Sequence, residues 1–193
     1  MAIIKGDPFF EPVTLGEMKN HSRIEVGDDD LILTGLIRAA REYCETFTGR
    51  SLCSRVIEYT FNRWPSNGIY LPHPPVTEVL EVQYRLKDAL AFTDFTEFDV
   101  DNTDTFSRVV PNETWPTGEL HPVNAIRVEY MAGYDVIGNV PESIKSALRL
   151  LVGTWYENRE GVLPAGHVGK ELPVGVEPLL WQDRVFWSEE LNR

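Results

Sequence analysis

The spacing of apolar residues changes period twice along the chain. From Asp29 to Thr48, the residues Leu33, Leu36, Ile37, Ala40, Tyr43, Cys44 and Phe47 recur at helical intervals. That spacing predicts a helix over 29–48 with one apolar stripe. Asp28, Asp29 and Asp30 suit the positive end of its dipole, and Gly49 supplies a stop. A shorter helix is predicted over 14–21, because Thr14 and Glu17 have the spacing of a capping box. The strongest pattern is VPESIKSALRLLVGTWYENRE, where Ile144, Ala147, Leu148, Leu151, Val152, Trp155 and Tyr156 share one face. It predicts a helix over 141–160.

Between these helices the period falls to two. Ile57, Tyr59 and Phe61 alternate with Glu58, Thr60 and Asn62, and Ile126, Val128 and Tyr130 alternate with Arg127 and Glu129. Each run predicts a half-buried strand. A further strand over 76–86 is expected to put Leu80, Val82 and Tyr84 on one face. Asn67-Gly68 marks a turn before Ile69-Tyr70-Leu71, and LPHPP (Leu71 to Pro75) reads as a rigid connector. Weaker strands are expected near 98–100 and 106–111. The connections are short and hold no crossover helix, so the strands are expected to be antiparallel. The order predicts an α+β fold. Two N-terminal helices and the long C-terminal helix form a small bundle, with a β-rich insertion over 54–133. Residues 1–160 are read as one domain and 161–193 as an extended tail.

That tail is apolar without a period of its own. It carries Leu172, Val174, Val176, Leu179, Leu180, Trp181, Phe186 and Trp187, while Pro173 and Pro178 resist a continuous helix. It either folds back on its own chain or docks on another. Apolar and aromatic clusters of this kind are typical interface anchors, which favours the second.

Charge narrows the possible partners. The 193 residues include 18 Lys+Arg and 30 Asp+Glu, a net charge of −12. This argues against a general nucleic-acid-binding surface, whose affinity comes from cations at phosphates. It is compatible with a surface that nucleic acid must pass without sticking. Hydrophobic residues are 42% and charged residues 25%, which is globular. Met1 to Phe10 lacks the apolar core of a signal peptide, and no run approaches the ~20 residues of a membrane span. A cytosolic site of synthesis and folding is expected. Cys44 and Cys53 are the only cysteines. Cys44 falls on the apolar stripe, so a buried reduced thiol is expected, although a Cys44–Cys53 bridge stays open.

Catalytic patterns are thin. His21, His73, His121 and His167 are far apart, without partners at metal-ligand spacing. Asp99, Asp101 and Asp104 look like half of a calcium loop. Asp104 stands where its glycine belongs and Val110 where its glutamate belongs, so an Asx-rich turn is the better reading. Glu157 and Glu160 are i,i+3 neighbours beside Arg159 and read as a solvated or interfacial charge cluster. No nucleophile elbow, phosphate loop or dinucleotide fingerprint occurs. No enzyme activity, metal or cofactor is expected. A metal-assisted hydrolase using Asp99 and Asp101 is the weakest alternative.

Several segments, in this order, resemble one family. They are EPVTLGEMKNHSRI, the acidic DDD followed by LILTGLIRAAREYCETFTGRSL, RWPSNGIYLPHPPVTEV, AIRVEYMAGY, VPESIKSALRLLVGTWYENREG and ELPVGVEPLLWQDRV. The most specific are EYCETFTGR, LPHPPV, WYENRE and the LP-x-GVE-x-LL tail. The chain is similar over almost its whole length to the head–tail connector (adaptor) proteins of long-tailed bacteriophages, prophages and gene transfer agents.

The resemblance implies a non-enzymatic virion protein. Such proteins form a ring, typically of twelve copies, below the portal. They extend the DNA channel and offer a platform to the next head-completion or tail component. DNA would pass through without specific binding. The protein would reside at the head–tail interface of the virion, and in the host cytoplasm during assembly. The C-terminal segment of related connectors reaches toward the portal. That role is carried onto Leu172, Pro173, Val176, Leu179 and Leu180, with Trp181 beside them as a portal or neighbour-subunit contact. Residues 181–193 are longer and more aromatic than the family leads one to expect. Ring closure needs complementary faces on each copy. Arg38, Arg41 and Glu42 against Glu157, Arg159 and Glu160 are the candidates for one such contact. A reading of another class is a monomeric phage-encoded binding or regulatory module that uses the β region.

Overall fold

The computed structural model describes residues 2–158 and 175–192. The described chain divides into two compact units. One holds residues 2–9, 49–135 and 185–192, and the other 10–48, 136–158 and 175–184.

The second unit is helical: α1 (Leu15–Ser22), α2 (Asp30–Thr48), α3 (Glu142–Glu157) and the short α4 (Val176–Trp181). Its helices begin where the sequence supplies caps. The Thr14 hydroxyl accepts the Glu17 amide at 3.2 Å, and Glu17 returns a bond to the Thr14 amide at 2.7 Å. This is a closed capping box that satisfies two otherwise orphaned donors. The apolar stripes then meet. Leu33, Ile37, Ala40 and Cys44 of α2 are buried, as are Ile144, Ala147, Leu148, Leu151 and Val152 of α3. Trp155 and Tyr156 are half-buried, with the Tyr156 hydroxyl bonded to Asp29 at 2.6 Å.

The first unit is β-rich: β1 (Ala2–Lys5), β2 (Arg55–Phe61), β3 (Ile69–Tyr70), β4 (Val76–Tyr84), β5 (Thr93–Asp94), β6 (Phe98–Asp101), β7 (Arg108–Pro111) and β8 (Ile126–Ala132). A five-stranded sheet runs in the order β1-β2-β8-β4-β5 and a three-stranded sheet in the order β3-β7-β6. Every pairing is antiparallel, as the short connections require. The fold is therefore α+β. β8 sits centrally, with Ile126, Val128, Tyr130 and Ala132 buried and Arg127, Glu129 and Met131 less so. The alternating residues of both sheets share one core that includes Ile57, Tyr59, Ile69, Val82, Val109, Val128 and Tyr130.

Three local features depart from the sequence reading. β1 was not expected, and it pairs with β2 from Ala2↔Tyr59 to Lys5↔Val56. Leu80 does not share the core face with Val82 but is 46% exposed, while Val79 packs against the core. The cause is a register shift between Val79 and Glu81, which inserts a residue and turns the strand over. The tail, expected to be extended, contains α4. Pro178 is tolerated there because it lies in the first turn, where its missing N–H has no intrahelical partner to lose.

The LPHPP connector is held on several sides. The Pro72 carbonyl accepts the Tyr130 hydroxyl at 2.8 Å, Pro74 accepts the Ser51 amide at 3.2 Å, and Pro75 accepts the Gly133 amide at 2.7 Å. Gly133 itself has φ 106, and a Cβ there would lie 2.3 Å from the Cys53 carbonyl oxygen. Only glycine fits that approach.

Candidate functional site

The expected assembly residues divide by what surrounds them. Arg38 and Glu42 lie one turn apart on α2 and are exposed, and Glu157 is exposed at the end of α3. Arg41 is different. Its side chain is 3% exposed, with Nε 2.8 Å from Glu11 and Nη1 2.9 Å from Glu45. Burial alone would pull this guanidinium down. The carboxylates of Glu45 and Glu11 more than offset that and hold it above its ordinary value. Its reach toward Glu42 is 3.7 Å. Arg159 and Glu160 lie outside the described residues.

The tail residues divide in the same way. Val176 and Leu180 are buried, on a helix that packs against α3 and α2. Leu179 is half-buried, and Trp181 is 58% exposed. Leu172 and Pro173 lie outside the described residues. The exposed indole is nonetheless positioned. Its ring centroid is 6.2 Å from that of Phe47, and the Arg184 guanidinium stacks over both rings, at 5.0 Å and 4.9 Å. Such cation–π contacts fix an amphipathic ring at a surface without burying it. Tyr43 stacks on Phe47 at 6.3 Å, and its phenol is pushed up first by burial and then by Glu177.

The last residues have a separate place, in the β unit. Trp187 meets Tyr59 and Phe106 edge-on, at 6.1 Å and 5.2 Å. The Asn192 side chain accepts the Tyr70 amide at 2.7 Å and donates to the Tyr70 carbonyl at 2.9 Å and to the Tyr59 hydroxyl at 3.2 Å. One side-chain amide thus stands beside β3 where another strand would lie. Sequence reasoning gave this segment no role, because a lone Asn outside any periodic pattern carries no signal of a partner 122 residues away.

The acidic run is the end of β6, which holds Asp99 and Asp101, and the bend after it, which holds Asp104. Asp101 accepts the Thr103 hydroxyl at 2.6 Å and the Thr103 amide at 3.0 Å, and pairs with Arg108 at 2.9 Å. The Thr103 contacts first, and Arg108 after them, hold this carboxyl below the usual range. Among the described residues no group of three or more His, Cys, Asp or Glu is arranged to hold a metal, and no helix is long and apolar enough to cross a membrane. Cys44 and Cys53 are both free and buried, so the open bridge between them is not formed.

Helices with an inserted antiparallel β region occur again in solved structures of gene transfer agent particles. Matched chains come from the neck of an empty GTA particle computed with C6 symmetry (TM-score 0.77), the virion of a native gene transfer agent particle (0.78) and the neck of a native GTA particle computed with C12 symmetry (0.73). Each is 20% identical, with 97% of this chain and 97% of that chain covered. At that identity the likeness speaks for the fold. No curated protein matches. Residues 12–107 match the family described as phage gp6-like head-tail connector protein, and over that span the chain is similar to the head–tail connectors.

Proposed function

We propose that the chain acts as a structural connector that closes into a homo-oligomeric ring in the neck of a phage-like particle, seated on the portal, and has no catalytic step of its own. The observation that carries this reading is the family match over residues 12–107. The C6 and C12 symmetries of two matched necks favour a ring, and twelve copies agree with the second. The ring prolongs the DNA channel and presents a platform to the next head-completion or tail protein. It works in the virion after assembling in the host cytoplasm. A wall built from copies of net charge −12 repels phosphate over a screening length of about 8 Å, so DNA slides rather than binds.

Two surfaces serve assembly in this reading. Arg38, Glu42 and Glu157 face the neighbouring copy, and Arg41 acts only by positioning Glu42. Leu172, Pro173, Leu179 and Trp181 engage the portal or a neighbour, while Val176 and Leu180 anchor the helix that presents Trp181. The test is to mix the full chain with portal and image the product by electron microscopy. Closed rings coaxial with the portal are expected. Free monomers beside undecorated portals would refute the reading.

A further inference from the structure

The β unit holds a cleft of about 380 Å3 lined by aromatic, hydroxyl and acidic side chains. Tyr84, Phe95 and Trp115 line it. Trp115 is fixed from behind: its ring stacks on Trp64 at 4.5 Å and 9°, and its indole N–H donates to the Pro65 carbonyl at 2.9 Å. The same indole borders the cleft. Asp94 and Glu97 line the same cleft. Asp94 accepts one bond from the Gln83 amide at 2.7 Å, and the exposed Glu97 carboxylate has no bond among the described residues. No Lys or Arg occurs between Asp88 and Ser107, and Arg108 is paired to Asp101. A π surface beside two carboxylates is a receptor for a planar cation, which stacks on the ring while its N–H groups meet the oxygens.

The chain carries suitable cations elsewhere. Arg23, Arg38 and Arg63 are exposed, and their side chains make no hydrogen bond or ion pair among the described residues. Copies of net charge −12 repel one another unless such unpaired cations meet carboxylates. We propose that the cleft receives an arginine of a second copy, its guanidinium lying on Trp115 and held by Glu97 and Asp94, as one half of the head-to-tail contact in the ring. This rests on the ring reading above, and it names the chemistry of one face.

The test uses the full chain assembled on portal and counted by electron microscopy, with circular dichroism to verify folding. Glu97→Arg is expected to lower the fraction of closed rings about tenfold or more, and Glu97→Gln about threefold, because both remove an exposed charge that no internal contact needs. One of Arg23→Glu, Arg38→Glu or Arg63→Glu, placed in the same chain as Glu97→Arg, is expected to restore rings by swapping the pair. Rings from both Glu97 variants at the wild-type level would overturn the proposal while leaving the ring reading intact. Loss of rings that none of the three swaps restores would overturn the second copy as occupant. Absence of rings from the wild-type chain would overturn both.

Discussion

Leu180→Ala separates two roles that the tail combines. Leu180 is fully buried on α4, so its whole side chain contributes to the transfer free energy. Truncation removes three carbons, about 2.4 kcal/mol at roughly 0.8 kcal/mol per methylene. The cavity left behind brings the loss to about 2.7–5 kcal/mol. Trp181, one residue on and 58% exposed, gives up only its ring contacts with Phe47 and Arg184. Trp181→Ala is therefore expected to cost about 1 kcal/mol or less. Urea unfolding of the free chain, followed by circular dichroism, measures both, and portal attachment is then scored where each variant is folded. Leu180→Ala should lower the midpoint strongly and spare attachment, while Trp181→Ala should do the reverse. A loss below 0.5 kcal/mol for Leu180→Ala would mean that α4 is not packed into its unit, and would refute the reasoning.

The other predictions concern the scaffold. Thr14→Ala removes the capping box and should cost about 1 kcal/mol at neutral pH. The Glu17 carboxyl is held below its usual range, first by the Thr14 amide, so its contribution is present above the unfolded pKa and fades as pH falls through the folded one; the urea midpoint of the wild type should fall on acidification through that window, and that of Glu17→Gln should fall less. Gly133→Ala places a Cβ against the Cys53 carbonyl at a positive φ and should destabilise by about 3–5 kcal/mol, whereas an unchanged midpoint would show that the strand end relaxes freely. Burial pushes the Cys44 thiol up to about 12, so a thiol reagent at pH 8 should label it only on unfolding, and rapid native labelling would contradict that burial.

The long helices were legible because their apolar residues repeat at a helical period over four turns or more, and because Thr14 and Glu17 announce a cap. The alternating strands were legible for the same kind of reason. β1 was not, since AIIK has no alternation and its partner lies more than fifty residues on. Leu80 was assigned to the wrong face because a bulge is invisible to a strict period of two. α4 is too short to show a period and exists through Val176 and Leu180 meeting the rest of its unit. Among the site residues, charge and exposure were readable at Arg38, Glu42 and Glu157. Arg41 was not, because its partner Glu11 lies thirty residues away. The aromatic cleft was missed because Trp64, Tyr84, Phe95 and Trp115 come from separate turns and strands. Nothing local marks them as neighbours.

The amide of Asn192 beside β3 bears on how a sheet protein waits for its partners. An exposed edge offers a row of unpaired N–H and C=O groups to any extended chain, including other copies in a crowded cell. Asn192 answers the N–H and C=O of Tyr70 with a group only one peptide long. The edge is satisfied there, yet the group has no further backbone onto which another strand could add, so strand addition at Tyr70 is blocked. In Asn192 the β unit carries a side-chain stop to strand addition at Tyr70.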